Sequence, residues 1–327
     1  MQHSQPSLRS GDPIRIGARG SKLSQIQAYA IQAQIVRLLG ADPTDAEKVA
    51  PVILITTTGD RVQDRRLLEI GGKALFTKEI EEALLENRID CAVHCLKDMP
   101  AISPPGLVTA AHPEREDPRD ALISPIAARI EDLPQGARLG TASLRRQAQS
   151  LFRRPDLSVQ LLRGNVDTRL AKMEQGFADA IILAYAGLRR MGLENRVAGL
   201  IDPIEAPPAP GQGALTIQTR VADIEHPALA GLHHVETGVT VAAERGALEA
   251  LEGSCKTAVG AYATLVDGRL SMVVEGLAPD GSNRWRREGE INISLSSMAA
   301  RDDAFRLGLE LGAAVRTDGG DLLTPVN

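Results

Sequence analysis

Ile14-Arg15-Ile16-Gly17-Ala18-Arg19-Gly20-Ser21 decides how this chain is built. The first four residues read as a short strand, and Ala18-Arg19-Gly20-Ser21 turns out of it. Leu23, Ile26, Ala30, Ala33 and Val36 then recur at the spacing of one face of an amphipathic helix. Ser21 is the predicted N-cap, because its hydroxyl oxygen accepts from an amide one turn on. The alternation continues outward. Residues 52–55 are an apolar run of strand length, and 77–87 carry Ile80, Ala83 and Leu84 on one helical face. Cys91-Ala92-Val93 begins a buried strand that ends at His94-Cys95-Leu96-Lys97-Asp98-Met99-Pro100. Strands alternating with helices predict a parallel α/β sheet, whose ligand loops gather at the carboxyl ends of its strands.

Pro113-Glu114-Arg115-Glu116-Asp117-Pro118 is a turn-rich crossing. Beyond it the pattern repeats, with strands at 138–140, 158–162 and 179–184 and helices at 143–152 and 166–175. Glu205-Ala206-Pro207-Pro208-Ala209-Pro210-Gly211-Gln212-Gly213 is a proline-stiffened connector ahead of a strand at 214–218. From about residue 233 the character changes. A helix at 237–250 precedes strands at 258–266 and 270–277, joined by the hairpin signal Asp267-Gly268. A helix near 297–314 closes the chain. The predicted domains are 1–113 with 209–232, then 114–208, then a smaller α+β domain at 233–327.

With 327 residues, 43% of them hydrophobic, the chain supports two or three cores. A net charge of −5 and 2% aromatic residues argue against a nucleic-acid binder, which needs basic surface and stacking rings. Three cysteines exclude a disulfide framework. The polar start has no apolar signal region, and no apolar run reaches the ~18 residues of a membrane span. A reduced, cytoplasmic protein is the expectation.

Against this acidic balance, Arg138, Arg145, Arg146, Arg153, Arg154, Arg163, Arg169, Lys172, Arg189 and Arg190 face only Asp156, Asp167, Glu174 and Asp179. Arg145 and Arg146 follow Gly140-Thr141-Ala142-Ser143 at a strand-to-helix turn, where free helix amides also collect. Arg163 follows another strand. Guanidinium forks at such turns suit a polyanion, whereas Arg138, Arg153, Arg154 and Arg189 read equally well as solvated helix faces. Asp98, beside Lys97 at the end of an apolar strand, fits either a turn cap or a carboxylate that stabilises a developing cation. Cys91, His94 and Cys95 are too closely spaced within one buried strand to read as a metal site, so no metal is expected. Cys255, in Gly253-Ser254-Cys255-Lys256, is either a packed small hydrophobe or an accessible thiol whose thiolate the lysine favours.

Together these stretches resemble the porphobilinogen deaminase family. The shared motifs include Ile16-Gly17-Ala18-Arg19-Gly20-Ser21, Thr57-Thr58-Gly59-Asp60 and Gly71-Gly72-Lys73-Ala74-Leu75-Phe76-Thr77-Lys78-Glu79. They continue through Ala92 to Pro100, Arg115 to Asp120, Gly140 to Arg146, Leu162 to Leu170, Pro210 to Ala214, and Leu251-Glu252-Gly253-Ser254-Cys255. The resemblance implies two periplasmic-binding-protein-like α/β domains with a central cleft, plus a smaller C-terminal α+β domain. It implies a dipyrromethane cofactor held by a thioether to Cys255. On that primer the enzyme would condense four porphobilinogen molecules head to tail, release ammonia each time, and free hydroxymethylbilane by hydrolysis.

It further implies Asp98 as the catalytic carboxylate, stabilising the azafulvenium cation left when ammonia departs. Lys97, Thr141, Ser143, Arg145, Arg146 and Arg169 would bind the cofactor, and Arg19, Ser21, Gln27, Arg163 and Arg190 the substrate. Each pyrrole carries an acetate and a propionate, so the growing product is a polyanion that needs dispersed cationic partners. A monomer is expected, and residues 58–78 are the candidate lid. Lys22 stands where the family usually has proline, and Ala142 where serine is frequent. Asp167 stands between two arginines, and Lys256-Thr257-Ala258 lacks the usual proline. The competing reading from architecture alone is a cytoplasmic anionic-solute-binding module, which needs neither Cys255 nor a third domain.

Overall fold

The computed structural model describes residues 8–9, 11–61, 76–251 and 257–323. Cys255 and most of the 58–78 stretch lie outside the described residues. Two compact units form, divided between Arg115 and Glu116, between Gly213 and Ala214, and between Gly238 and Val239.

In the first unit, β1 (Ile16–Arg19) runs through the Ser21 cap into α1 (Lys22–Leu38). Ser21 Oγ accepts from Ser24 N at 3.4 Å, as its place ahead of the helix predicts. The strand lies two residues later than the 14–17 expected, because its ladder with β2 (Val52–Ile55) runs from Ile16↔Val52 to Arg19↔Ile55. Arg19 is therefore the last residue of a strand. α2 (Lys78–Leu85), β3 (Cys91–Cys95) and β4 (Leu107–Ala111) follow. The strand order is β2-β1-β3-β10-β4, and β10 (Leu215–Arg220) returns antiparallel between β3 and β4.

β3 is buried on both faces. Cys91 and Val93 pack with Ile16 and Ile31, whereas Ala92 packs with Ile80, Leu84 and Ile89. Such a strand reads as a continuous apolar run rather than an alternating one. β10 is pinned by Arg220, 1% exposed, whose Nη2 donates to Asp90 (2.9 Å) and Nε to Asp223 (2.7 Å).

The second unit repeats the plan. β5 (Asp120–Ile123), β6 (Arg138–Thr141), α3 (Leu144–Arg153), β7 (Ser158–Leu161), α4 (Val166–Glu174), β8 (Ala180–Ala184), α5 (Tyr185–Arg190) and β9 (Gly199–Leu200) make a sheet ordered β7-β6-β8-β5-β9. β6 pairs parallel with β7 and β8, and β5 antiparallel with β8. Along β8, Ile181 and Leu183 face one core while Ala180 and Ile182 face the other.

The C-terminal part is a meander, β11 (Ala258–Val266), β12 (Arg269–Leu277) and β13 (Arg284–Asn292), packed against α6 (Val235–Ala250) and α7 (Ala300–Gly319). Asp267 and Gly268 take positive φ (48° and 75°), as a tight hairpin demands. The helices meet closely at Gly308, where a Cβ would lie 1.9 Å from the Ala243 carbonyl oxygen. Two α/β sheet domains and a smaller α+β part are thus as expected. The pattern did not predict β4, β5, β9, β13 or α5. β13 was hidden by its charges (Arg284, Arg286, Arg287, Glu288, Glu290), which suit an edge strand by discouraging further pairing. The last helix starts three residues after the predicted 297 and continues to Gly319.

Lys22 occupies the first position of α1 and is exposed. Proline suits that position because its fixed φ matches the helix and no amide hydrogen is lost from the ladder. Ser21, at φ −67° and ψ 146°, already has the extended backbone that a following proline requires. Lys22→Pro is expected to raise the unfolding free energy by about 0.5–1 kcal/mol, read by urea denaturation. A destabilised variant would show that the lysine itself serves the turn.

Candidate active site

At the carboxyl ends of β1 and β3 the first unit gathers Arg19, Ser21, Lys97 and Asp98. Asp98 closes a 3-10 turn, Leu96–Asp98, that begins as β3 ends, and it is half-buried. Leu96 N donates to Ala214 O (3.1 Å) and Met99 N to Leu96 O (3.0 Å), so the turn is tied to the chain leading into β10. The Arg19 guanidinium carbon lies 4.2 Å from the centroid of the Phe76 ring. This cation–π contact orients the fork, and it joins residues too far apart along the chain for local spacing to show it. Gln27 is nearly inaccessible, with its carboxamide nitrogen 3.3 Å from Cys95 Sγ. Its structural setting is thus the seam between α1 and β3.

His94, one strand position before Cys95, is a packed histidine. Burial pushes its pKa down to about 4, so the ring is neutral, and Nε2 donates to Gln218 Oε1 at 3.1 Å. Arg19 depresses this pKa further while Asp98 raises it, which sets both charges within electrostatic reach of one ring. Gln218 Nε2 donates onward to Glu81 Oε1 (3.1 Å). Burial also pushes the Cys91 thiol up, making it a poor nucleophile and ligand.

The second unit collects Thr141, Ser143, Arg145, Arg146, Arg163, Arg169 and Arg190 near the ends of β6, β7 and β8. Ser143 caps α3 by accepting from Arg146 N (3.4 Å), and Thr141 Oγ1 accepts from Ser143 N (3.1 Å). Arg145 and Arg146 are not open forks. They are 5% and 6% exposed and share Asp120, itself 4% exposed. Arg145 Nη1 donates to Asp120 Oδ2 (2.8 Å), and Arg146 Nη2 to Asp120 Oδ1 (2.7 Å). Arg146 Nη1 also reaches Ile182 O (3.0 Å), while Gln212 Nε2 donates to Asp120 Oδ1 (2.9 Å). Burial alone would raise the Asp120 pKa, but the two guanidiniums hold it well below the usual carboxylate range.

Arg169 Nε donates to Gly164 O (2.7 Å), and Arg190 Nη2 to Gly213 O (2.7 Å). Asp167 lies exposed in the first turn of α4, where its charge complements the helix dipole. Asp120 is the polar residue that pattern reading passed over. Apart from closing the Arg115 to Asp120 motif, its sequence signal is an acid directly ahead of Ala121-Leu122-Ile123, after a run of charges.

One unit holds a carboxylate beside a lysine and a guanidinium at strand ends, and the other holds arginines around strand ends. This is the equipment of an α/β protein that handles carboxylate-bearing ligands. The family model for the porphobilinogen deaminase dipyromethane cofactor binding domain matches residues 14–227, and that for the porphobilinogen deaminase C-terminal domain matches 239–316. Porphobilinogen deaminase of Caulobacter sp. (strain K31) is 63% identical over 315 residues, 96% of this chain and 98% of that protein. The protein of the same name from Phenylobacterium zucineum (strain HLK1) is 62% identical over 314 residues, 95% of this chain and 98% of its own. A periplasmic substrate-binding protein of an ABC transporter from Coxiella burnetii aligns with 67% of this chain and 89% of its own, at 14% identity and a TM-score of 0.41.

The chain belongs to the porphobilinogen deaminase family. It is a transferase of tetrapyrrole biosynthesis that condenses porphobilinogen on a dipyrromethane cofactor. The solute-binding-module reading is thereby set aside.

Two observations test whether these residues suit that cofactor. Arg145 Nε and Arg163 Nη1 are buried and find no hydrogen-bond acceptor among the described residues. An orphaned buried donor costs about 1–3 kcal/mol, more when charged, unless a ligand supplies the acceptor. Guanidinium donors match the acetate and propionate oxygens of a pyrrole, so the donor set fits the group.

Proposed function

We propose that Asp98 is the catalytic carboxylate and that the arginines of the second unit hold the carboxylates of cofactor and product. The observation that carries this reading is Asp98 in the 3-10 turn that follows β3, a turn held to Ala214, with the Arg19 charge acting on the same neighbouring ring. From there its carboxylate accepts hydrogen bonds from pyrrole N–H groups and stabilises the positive charge that develops on the substrate as ammonia leaves. Arg19, Ser21, Gln27, Arg163 and Arg190 orient the incoming porphobilinogen. Ser21 keeps its hydroxyl hydrogen for a ligand oxygen, because the helix cap uses only its acceptor. For Gln27 the same role requires the carboxamide to turn away from Cys95.

Lys97, Thr141, Ser143, Arg145, Arg146 and Arg169 bind the cofactor. Attached through a thioether to Cys255, the dipyrromethane supplies the primer to which the first pyrrole is added. Four additions and one hydrolysis then give hydroxymethylbilane. The reading takes residues 1–113 with 209–232, 114–208 and 233–327 as three domains of a cytoplasmic monomer that acts on a small molecule and not on nucleic acid. No helix among the described residues is long and apolar enough to cross a membrane.

Intact mass spectrometry tests the attachment. The purified wild type is expected to carry the added mass of two linked pyrroles, and Cys255→Ser is expected to lack both that mass and turnover. An active, unmodified wild type would sink the assignment.

A further inference from the structure

A polar chain crosses from the C-terminal meander to the arginine pair. Glu275, on β12, is wholly buried. Its Oε1 accepts from Gln149 Nε2 at 2.7 Å, and its Oε2 is a buried atom without a hydrogen-bond partner among the described residues, 4.0 Å from Arg286 Nη1. Gln149, on α3, turns its own Oε1 to Arg145 Nη1 at 2.8 Å. The Pro207 carbonyl accepts from both, at 2.8 Å from Gln149 Nε2 and 3.2 Å from Arg145 Nη1. From Arg145 the chain continues through Asp120 to Arg146.

This geometry dictates which way the Gln149 carboxamide faces. Glu275 and the Pro207 carbonyl are both acceptors, so the NH₂ end must point at them and the oxygen at Arg145. A flipped amide would set oxygen against oxygen twice and nitrogen against guanidinium. Gly260 faces Glu275 in the β11–β12 register. A Cβ at Gly260 would stand 2.5 Å from Pro207 O and 3.2 Å from Gln149 Nε2, so the meander is pressed onto this junction. Burying a carboxyl with one oxygen lacking a hydrogen bond is costly, and burial raises the Glu275 pKa although nearby arginines oppose the shift. An apolar residue would give the meander the same packing without that cost. What Glu275 supplies is direction: Arg145 is gripped through Nη1, and its Nε is left buried and without an acceptor among the described residues.

We infer that Glu275 is a positioning residue: acting through Gln149, it aims the free edge of Arg145 at a carboxylate of the dipyrromethane cofactor. The inference rests on the reading of Arg145 as a cofactor ligand. It gives the C-terminal domain a part in cofactor capture besides carrying Cys255.

The test is the fraction of folded, purified chains that carry the two-pyrrole mass. Glu275→Leu is expected to lower it at least fivefold. Glu275→Gln, which keeps an acceptor for Gln149 Nε2, is expected to restore it to within twofold of wild type. Gln149→Leu cuts the link at its middle and should reproduce the loss if Glu275→Leu does not fold. Val274→Ala, a neighbouring substitution in the meander core, should lower the thermal midpoint and leave the fraction unchanged. Full occupancy in both Glu275→Leu and Gln149→Leu, with loss in Arg145→Gln, overturns the positioning role alone. Full occupancy in Arg145→Gln overturns the ligand reading beneath it.

Discussion

Asp98→Asn is expected to lower kcat by about 10²–10³-fold while leaving the fold and the bound substrate intact. The loss follows from removing a charge aimed at a developing cation, the kind of preorganised group whose deletion costs about 3–4 kcal/mol. Asparagine keeps the shape and one oxygen acceptor of the aspartate, so pyrrole N–H groups still find a partner. The half-buried turn Leu96–Asp98 is held by backbone bonds from Leu96 and Met99, neither of which uses the Asp98 side chain. Its stability should therefore be untouched. Rapid-quench measurement of the first ammonia release, with KM determined alongside, separates the two effects. A kcat within tenfold of wild type would falsify the catalytic role of Asp98. A rise in KM at constant kcat would make it a binding group only.

The second large effect is in stability. Asp120→Asn leaves two buried guanidiniums without their shared counter-ion, and breaking a buried ion cluster in this way costs about 3–5 kcal/mol. Urea unfolding at neutral pH reads the loss. A change below about 1 kcal/mol would show that solvent or other acceptors already satisfy Arg145 and Arg146. The sign of the pH dependence is determined as well. The folded-state pKa of Asp120 lies far below its unfolded value of about 3.9. Its contribution is therefore complete above the unfolded value and fades as pH falls below about 4 toward the folded one, because the unfolded chain then binds the proton first. Asp120→Asn should flatten that acid limb of the stability curve.

These two carboxylates differ in how far their sequence betrays them. Asp98 follows an apolar run and precedes Met99-Pro100, so its place at a strand end was legible from pattern alone. Asp120 sits one residue beyond Arg119 and looks like one more surface charge. Only the return of β5 between β8 and β9 buries it against Arg145 and Arg146. The same two arginines read as open forks at a strand-to-helix turn, but tertiary contacts turned them inward. Local spacing sets where a side chain begins, while its partner comes from a strand far away in the chain.

By itself the sequence determined the strand–helix alternation, the Ser21 cap, the Asp267-Gly268 hairpin, and the family through its motifs. All of these depend on neighbours within a few residues, where periodicity, capping and turn chemistry act directly. The tertiary structure alone decided that β10 enters the first sheet antiparallel, that Phe76 steadies Arg19, and that Glu275 reaches Arg145 through Gln149. Each joins residues distant along the chain, and burial selects such pairs because a polar group taken out of water must find whatever partner the packing brings to it.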